Sequence, residues 1–274
     1  MINQIIAAVQ AIALKMRQDH ITAFAAQAAF FTVLATFPFI MFILYLTRYL
    51  PINQADILLA CKEYLPAQYS SFVISIINMV FVQQSTAFLS FNLISLLWSA
   101  SKGVAAMIGG LNSVYEIDED RNFVIMRLLS SVYLMLFAAG LLISMILLLF
   151  GNTMLLYLYY WFPFLESMNR VFFIGRVIIS FTIFVFLFLL IYRFLPSQRM
   201  RFREVIPGAI FSAVGWIGIS FFFSLYYGNF TTVLNMYGNL TGLLLALMWL
   251  YFCMILLFVG GEINYHLYHN AYYY

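Results

Sequence analysis

The chain has 274 residues, of which 65% are hydrophobic, 19% aromatic and only 8% charged, with a formal net charge of +3. So few ionisable groups cannot coat the surface of a water-soluble globule, so an all-α polytopic membrane protein is expected, a single integral membrane domain over residues 1–274. The short alternating strands of a transmembrane barrel are absent, and the small positive charge is accounted for by loop asymmetry without a nucleic-acid partner.

From the start of the chain, Ile2, Ile5, Ile6, Val9, Ile12, Ala13 and Met16 recur at helical spacing opposite Asn3, Gln4, Gln10, Lys15 and Arg17. Residues 1–18 therefore read as an amphipathic helix lying along the inner leaflet. No basic start, apolar core and small-residue cleavage site follow one another here, so a cleaved signal peptide is not expected. The first span is predicted over Ile21–Leu46. Residues 48–86 form the one long outer segment: Ile57–Leu65 ends at Pro66, and Tyr69–Val82 is too short to span comfortably. Two short outer helices are expected, the second on the surface or re-entrant.

Further spans are predicted over Phe88–Val114, Phe123–Phe150, Val171–Ile191, Val205–Tyr226 and Leu240–Val259, giving six. The aromatic runs Tyr157–Pro163 and Tyr272–Tyr274 have the composition of interface anchors. Lys15, Arg17, Lys102, Arg121, Arg127, Arg193, Arg199, Arg201 and Arg203 fall on one side of this layout, against Arg48, Lys62 and Arg170 on the other. The positive-inside rule makes the first side cytoplasmic and puts both termini there. Cys61 in the outer segment and Cys253 in the last span are badly placed to bridge.

Polar groups at membrane depth are the candidate site. Asn92, Ser95, Ser99 and Lys102 share one face of the second span with small residues, a stripe that should look inward. Two placements suit Lys102: snorkelling to inner headgroups, or lining an internal polar cavity. Glu262 follows about twenty apolar residues, a membrane's thickness, so it belongs at the inner boundary, where a pair with Lys102 is geometrically open to it. Gln27 is expected to bond across a tight helix pair, and Arg176 to snorkel outward; either could instead line a pathway. The acidic turn Glu116–Arg121 faces the basic run from Arg193 to Arg203, and salt bridging between the loops is expected. Its spacing matches no EF-hand, so no metal site is expected.

Ala28–Phe31 with Phe37-Pro38, Trp98–Gly103 followed by Gly110-Leu111-Asn112 and Tyr115, and then Arg121 and Arg127 form an ordered set of motifs. Phe194–Pro196, Pro207-Gly208, Tyr237-Gly238, Trp249–Tyr251 and Gly261–Asn264 continue it along nearly the whole chain. In these residues the chain resembles the YihY/BrkB family of bacterial inner-membrane proteins. The family has long carried a ribonuclease label, but His20, His266 and His269 and the scattered acids supply no metal-binding or catalytic constellation, so no enzyme and no cofactor are expected. The resemblance implies an envelope role in the cytoplasmic membrane, with transport or handling of an amphipathic lipid as the leading expectation. Asn112 and Asn264 join the candidate pathway with Asn92, Ser95, Ser99, Lys102, Glu262, Gln27 and Arg176. An ion-coupled secondary transporter using Glu262 and Lys102 is the alternative, and a non-transporting scaffold the third. The expected partners are membrane lipids, with a homo-oligomer or an envelope protein as further candidates.

Overall fold

A backbone in hydrocarbon must satisfy its own polar groups, which leaves a long apolar run one economical choice, the helix. The computed structural model describes residues 14–46, 86–119, 121–122, 169–229 and 239–269, with isolated positions elsewhere. Its long helices are α1 (Ile21–Leu46), α2 (Thr86–Val114), α3 (Asn169–Phe194), α4 (Phe202–Asn229) and α5 (Asn239–His269). Each contains a stretch long and apolar enough to cross a membrane, giving five candidate spans among the described residues. Residues 14–18 form a short helical stretch ahead of α1.

These spans match five of the six expected. The remaining one, Phe123–Phe150, lies almost wholly outside the described residues, as do the first thirteen residues of the interfacial helix and most of the outer segment 48–86. The clearest difference is α5, expected to end at Val259 but continuing to His269. Gly260 and Gly261 do not stop it. A helical glycine costs roughly 1 kcal/mol against alanine, and here the backbones need the space: a Cβ on Gly260 would overlap Ser212 Oγ and Tyr192 OH, and one on Gly208 of α4 would overlap the Gly260 carbonyl and the Asn264 amide.

The chain divides into two compact units, Met1–Phe30 with Gly103–Tyr274, and Phe31–Lys102. In the first, Ile21, Ala25, Ala28 and Ala29 of α1 join Ile108, Leu111 and Val114 of α2 and Leu257 and Phe258 of α5 in one core. Glycines again set the fit: Gly109 lies against the Phe24 ring and Gly110 against Phe258, with no room for a Cβ at either. Trp216 of α4 holds three helices together, its ring centroid 5.9 Å from Phe188 of α3 and 5.5 Å from Trp249 of α5, both edge-on. In the second unit, Phe31 and Trp98 meet edge-to-face at 6.1 Å. Phe91, Ile94, Ile178, Phe221, Phe222 and Leu225 point outward and exposed, the apolar surface that a bilayer would cover.

Candidate functional site

Polar residues are gathered in three places. The first is the α2 face within the second unit. Asn92, Ser99 and Ser101 are buried there, while Ser95 and Lys102 are half-buried. Ser99 Oγ donates to the Ser95 carbonyl at 2.7 Å, and Ser101 Oγ to the Trp98 carbonyl at 2.9 Å. Both hydroxyl protons are thus spent on the helix's own backbone, which is how serine becomes tolerable at membrane depth. Lys102 has no such outlet: within its unit, no described residue forms a hydrogen bond or ion pair with it.

The second place is the junction of the helix ends in the first unit. Asn112 Nδ2 donates to Glu119 Oε2 at 2.7 Å and to Ser197 Oγ at 2.9 Å, while its Oδ1 accepts the Ser197 N–H at 2.9 Å. Arg121 chelates Glu119 through Nε at 2.8 Å and Nη2 at 3.0 Å, and Nη2 also reaches the Leu195 carbonyl at 2.9 Å. The Arg121 guanidinium holds the Glu119 carboxyl down at about 2, well below the ordinary carboxylate range. The two loops therefore do meet, through Asn112 and Arg121, while Asp120 of the acidic turn lies outside the described residues. The acid–base pair closes inside the first loop, and Asn112 and Arg121 reach a carbonyl and a hydroxyl of the second, where Arg193 donates to its own loop's Met200 carbonyl at 3.0 Å. Nearby, Asn264 Oδ1 accepts the Gly208 N–H at 2.7 Å and its Nδ2 donates to Tyr115 OH at 3.4 Å. Burial pushes the Tyr115 hydroxyl well above the ordinary phenol value, so it stays neutral. Tyr192 OH meets Ser212 Oγ and donates to the Leu257 carbonyl, both at 2.6 Å.

The third place surrounds the end of α1's preceding stretch. Lys15 Nζ pairs with Glu116 Oε1 at 3.1 Å and sits 3.1 Å from the Tyr265 ring centroid. Glu262 is fully buried on α5, its carboxyl set against that of Asp19 with Lys15 and Glu116 close by. Backbone geometry shapes this corner. His20 and Glu116 are the two non-glycine residues with positive φ among those described, at 52° and 54°. His20 breaks the helix ahead of α1. Glu116 closes α2, its N–H donating to the Ser113 carbonyl at 3.1 Å and the Ile117 N–H to the Asn112 carbonyl at 2.9 Å, the paired bonds of a Schellman cap.

The predicted residues thus have different placements. Asn92, Ser95, Ser99 and Lys102 do form one stripe, whereas Asn112 and Asn264 serve as clamps between helix ends. Gln27 is exposed on α1 because it lies half a turn from Ala25 and Ala29, which take the buried face; it makes no bond across a helix pair among the described residues. The Arg176 side chain lies outside what is described. Lys102 and Glu262 belong to different units, and each is described within its own. Sequence reading missed Lys15, Asp19, Tyr115 and Tyr192 as site members. The four-residue spacing of Lys15 and Asp19 was visible, but nothing in the sequence tied it to a glutamate far along the chain.

Comparison with known proteins adds a family. The profile of the family described as virulence factor BrkB matches residues 12–273. A protein of Bacillus subtilis (strain 168) named putative ribonuclease-like protein YfkH is 34% identical over 239 residues, covering 87% of each chain. A UPF0761 membrane protein of Xanthomonas campestris pv. campestris (strain B100) is 32% identical over 74 residues, 27% of this chain and 17% of the relative. One from Xanthomonas axonopodis pv. citri (strain 306) is 32% identical over 74 residues, 18% of its length. No solved structure gives a significant match.

Proposed function

Because the chain belongs to the BrkB family, whose described helices here make it a multi-span membrane protein, we propose that it binds and moves an amphipathic lipid, with Lys102 engaging the anionic headgroup. One observation carries this reading. Lys102 is half-buried in a candidate span, on a face where Ser99 spends its hydroxyl proton on the helix backbone, and has no partner of opposite charge among the described residues of its unit. An ammonium near hydrocarbon costs a few kcal/mol, roughly 2.5–3.5 at a helix centre, and a lipid phosphate would offset that cost while acyl chains stay in the bilayer.

The proposal is not an enzymatic one. The relative YfkH carries a ribonuclease-like name, but here Glu119 is engaged by Arg121 and Asn112, Glu116 by Lys15, and Glu204 by the Arg201 N–H at 2.9 Å. These pairings support a non-enzymatic reading, since an acid already held by a cation or an N–H is a poor ligand for an ion that would activate water. An ion-coupled secondary transporter is the second reading, favoured by the buried carboxyl of Glu262. Native mass spectrometry of protein released from lipid nanodiscs tests the first. Anionic phospholipid should remain bound to the wild type and fall about tenfold in occupancy in Lys102→Gln, a loss of one charge-assisted contact. Equal retention by both proteins would remove Lys102 from the site.

A further inference from the structure

Among the described residues, the corner formed by residues 14–19, the end of α2 and the end of α5 contains more negative charge than its one ammonium answers. Three carboxyls, Asp19, Glu116 and Glu262, converge there with Lys15. Lys15 is already committed, ion-paired to Glu116 and stacked on the Tyr265 ring. Glu262 is 1% exposed, and both its Oε1 and Asp19 Oδ2 are buried without any hydrogen-bond donor among the described residues. The Glu262 carboxyl is also the one set against Asp19's.

Two ionised carboxylates in that position would repel each other in a poorly solvated place, and each would leave an acceptor unsatisfied. One added proton corrects both faults at once: it removes a charge and supplies the missing donor, as in carboxyl pairs that cannot both ionise. We infer that Asp19 and Glu262 share a single proton, forming a proton-binding site that ties the stretch preceding α1 to the end of α5.

The titratable groups facing Glu262 are Lys15 and Asp19 from the first stretch, Tyr115 and Glu116 from the end of α2, and Tyr265 on its own helix. Tyr115 keeps its proton, and its hydroxyl accepts from Asn264. Lys15 balances Glu116. The unbalanced charge therefore lies on the Asp19–Glu262 pair, whose proton belongs to both residues together. The site does not depend on which cargo the protein moves, so it goes beyond the lipid reading and can fail separately from it.

Infrared spectroscopy of the purified full-length protein in nanodiscs reads this proton without any transport measurement. At neutral pH the wild type should show the carbonyl stretch of a protonated carboxylic acid, shifting on deuterium exchange. Glu262→Gln should abolish it and Asp19→Asn should weaken or shift it, since each removes one half of the pair while keeping side-chain shape. If one variant does not fold, the other decides. The inference is overturned if the wild type lacks the band, or if the band is unchanged in every variant that folds.

Discussion

Glu119 and Arg121 offer the cleanest single-residue test of how the helix ends are held. The guanidinium lowers the carboxyl to about 2, so folding gains from the ionised form. The sign follows from linkage: the gain is complete above the ordinary carboxylate range and disappears as pH falls through that range toward about 2. Thermal unfolding of wild type and Glu119→Gln should therefore differ at neutral pH and converge in acid. A difference that stayed constant with pH would show that the carboxylate's charge is not what stabilises the junction. At this scale the sequence was informative in part. The α2 stripe was legible because helical periodicity alone puts Asn92, Ser95, Ser99 and Lys102 on one face. The roles of Asn112 and Asn264 were not, since their partners Ser197 and Gly208 lie far along the chain and only the folded contacts reveal them.

Between elements, glycine marks where backbones touch. Gly208 and Gly260 have no room for a Cβ, whereas Gly218 on α4 and Gly242 on α5 have nothing within 4 Å of one. Alanine at Gly208 or Gly260 should destabilise the protein by about 1–3 kcal/mol through overpacking. Alanine at Gly218 should be neutral or stabilising by up to about 1 kcal/mol from helix propensity. Unfolding in mixed micelles measures the contrast, and similar effects at all three positions would refute the close crossing of α4 and α5. Sequence alone offers no means of sorting these glycines. It also placed the end of α5 too early, because a Gly-Gly pair and a following glutamate resemble a helix stop until the crossing that uses Gly260 is seen. The spans themselves were legible because twenty apolar residues in lipid have few alternatives.

For the whole molecule, the cationic bias and the helix-end contacts point to one shared side. Lys15, Arg121 and Arg193 all belong to segments that meet in the first unit, and we propose that this side is cytoplasmic, with both termini there. Cysteines introduced at Arg17 and Arg201, both exposed, should react with an impermeant maleimide in inverted membrane vesicles and not in intact spheroplasts. The opposite pattern would invert the topology. At this scale the anionic ligand proposed for Lys102 must be moved as well as bound. Leaflet exchange in sealed proteoliposomes, read by quenching of a fluorescent anionic phospholipid from outside, measures that movement directly. The lipid reading predicts that wild-type protein exposes label from the inner leaflet, at a rate that Lys102→Met lowers about tenfold; protein-free and wild-type vesicles that quench alike, under every ion gradient imposed, would contradict it.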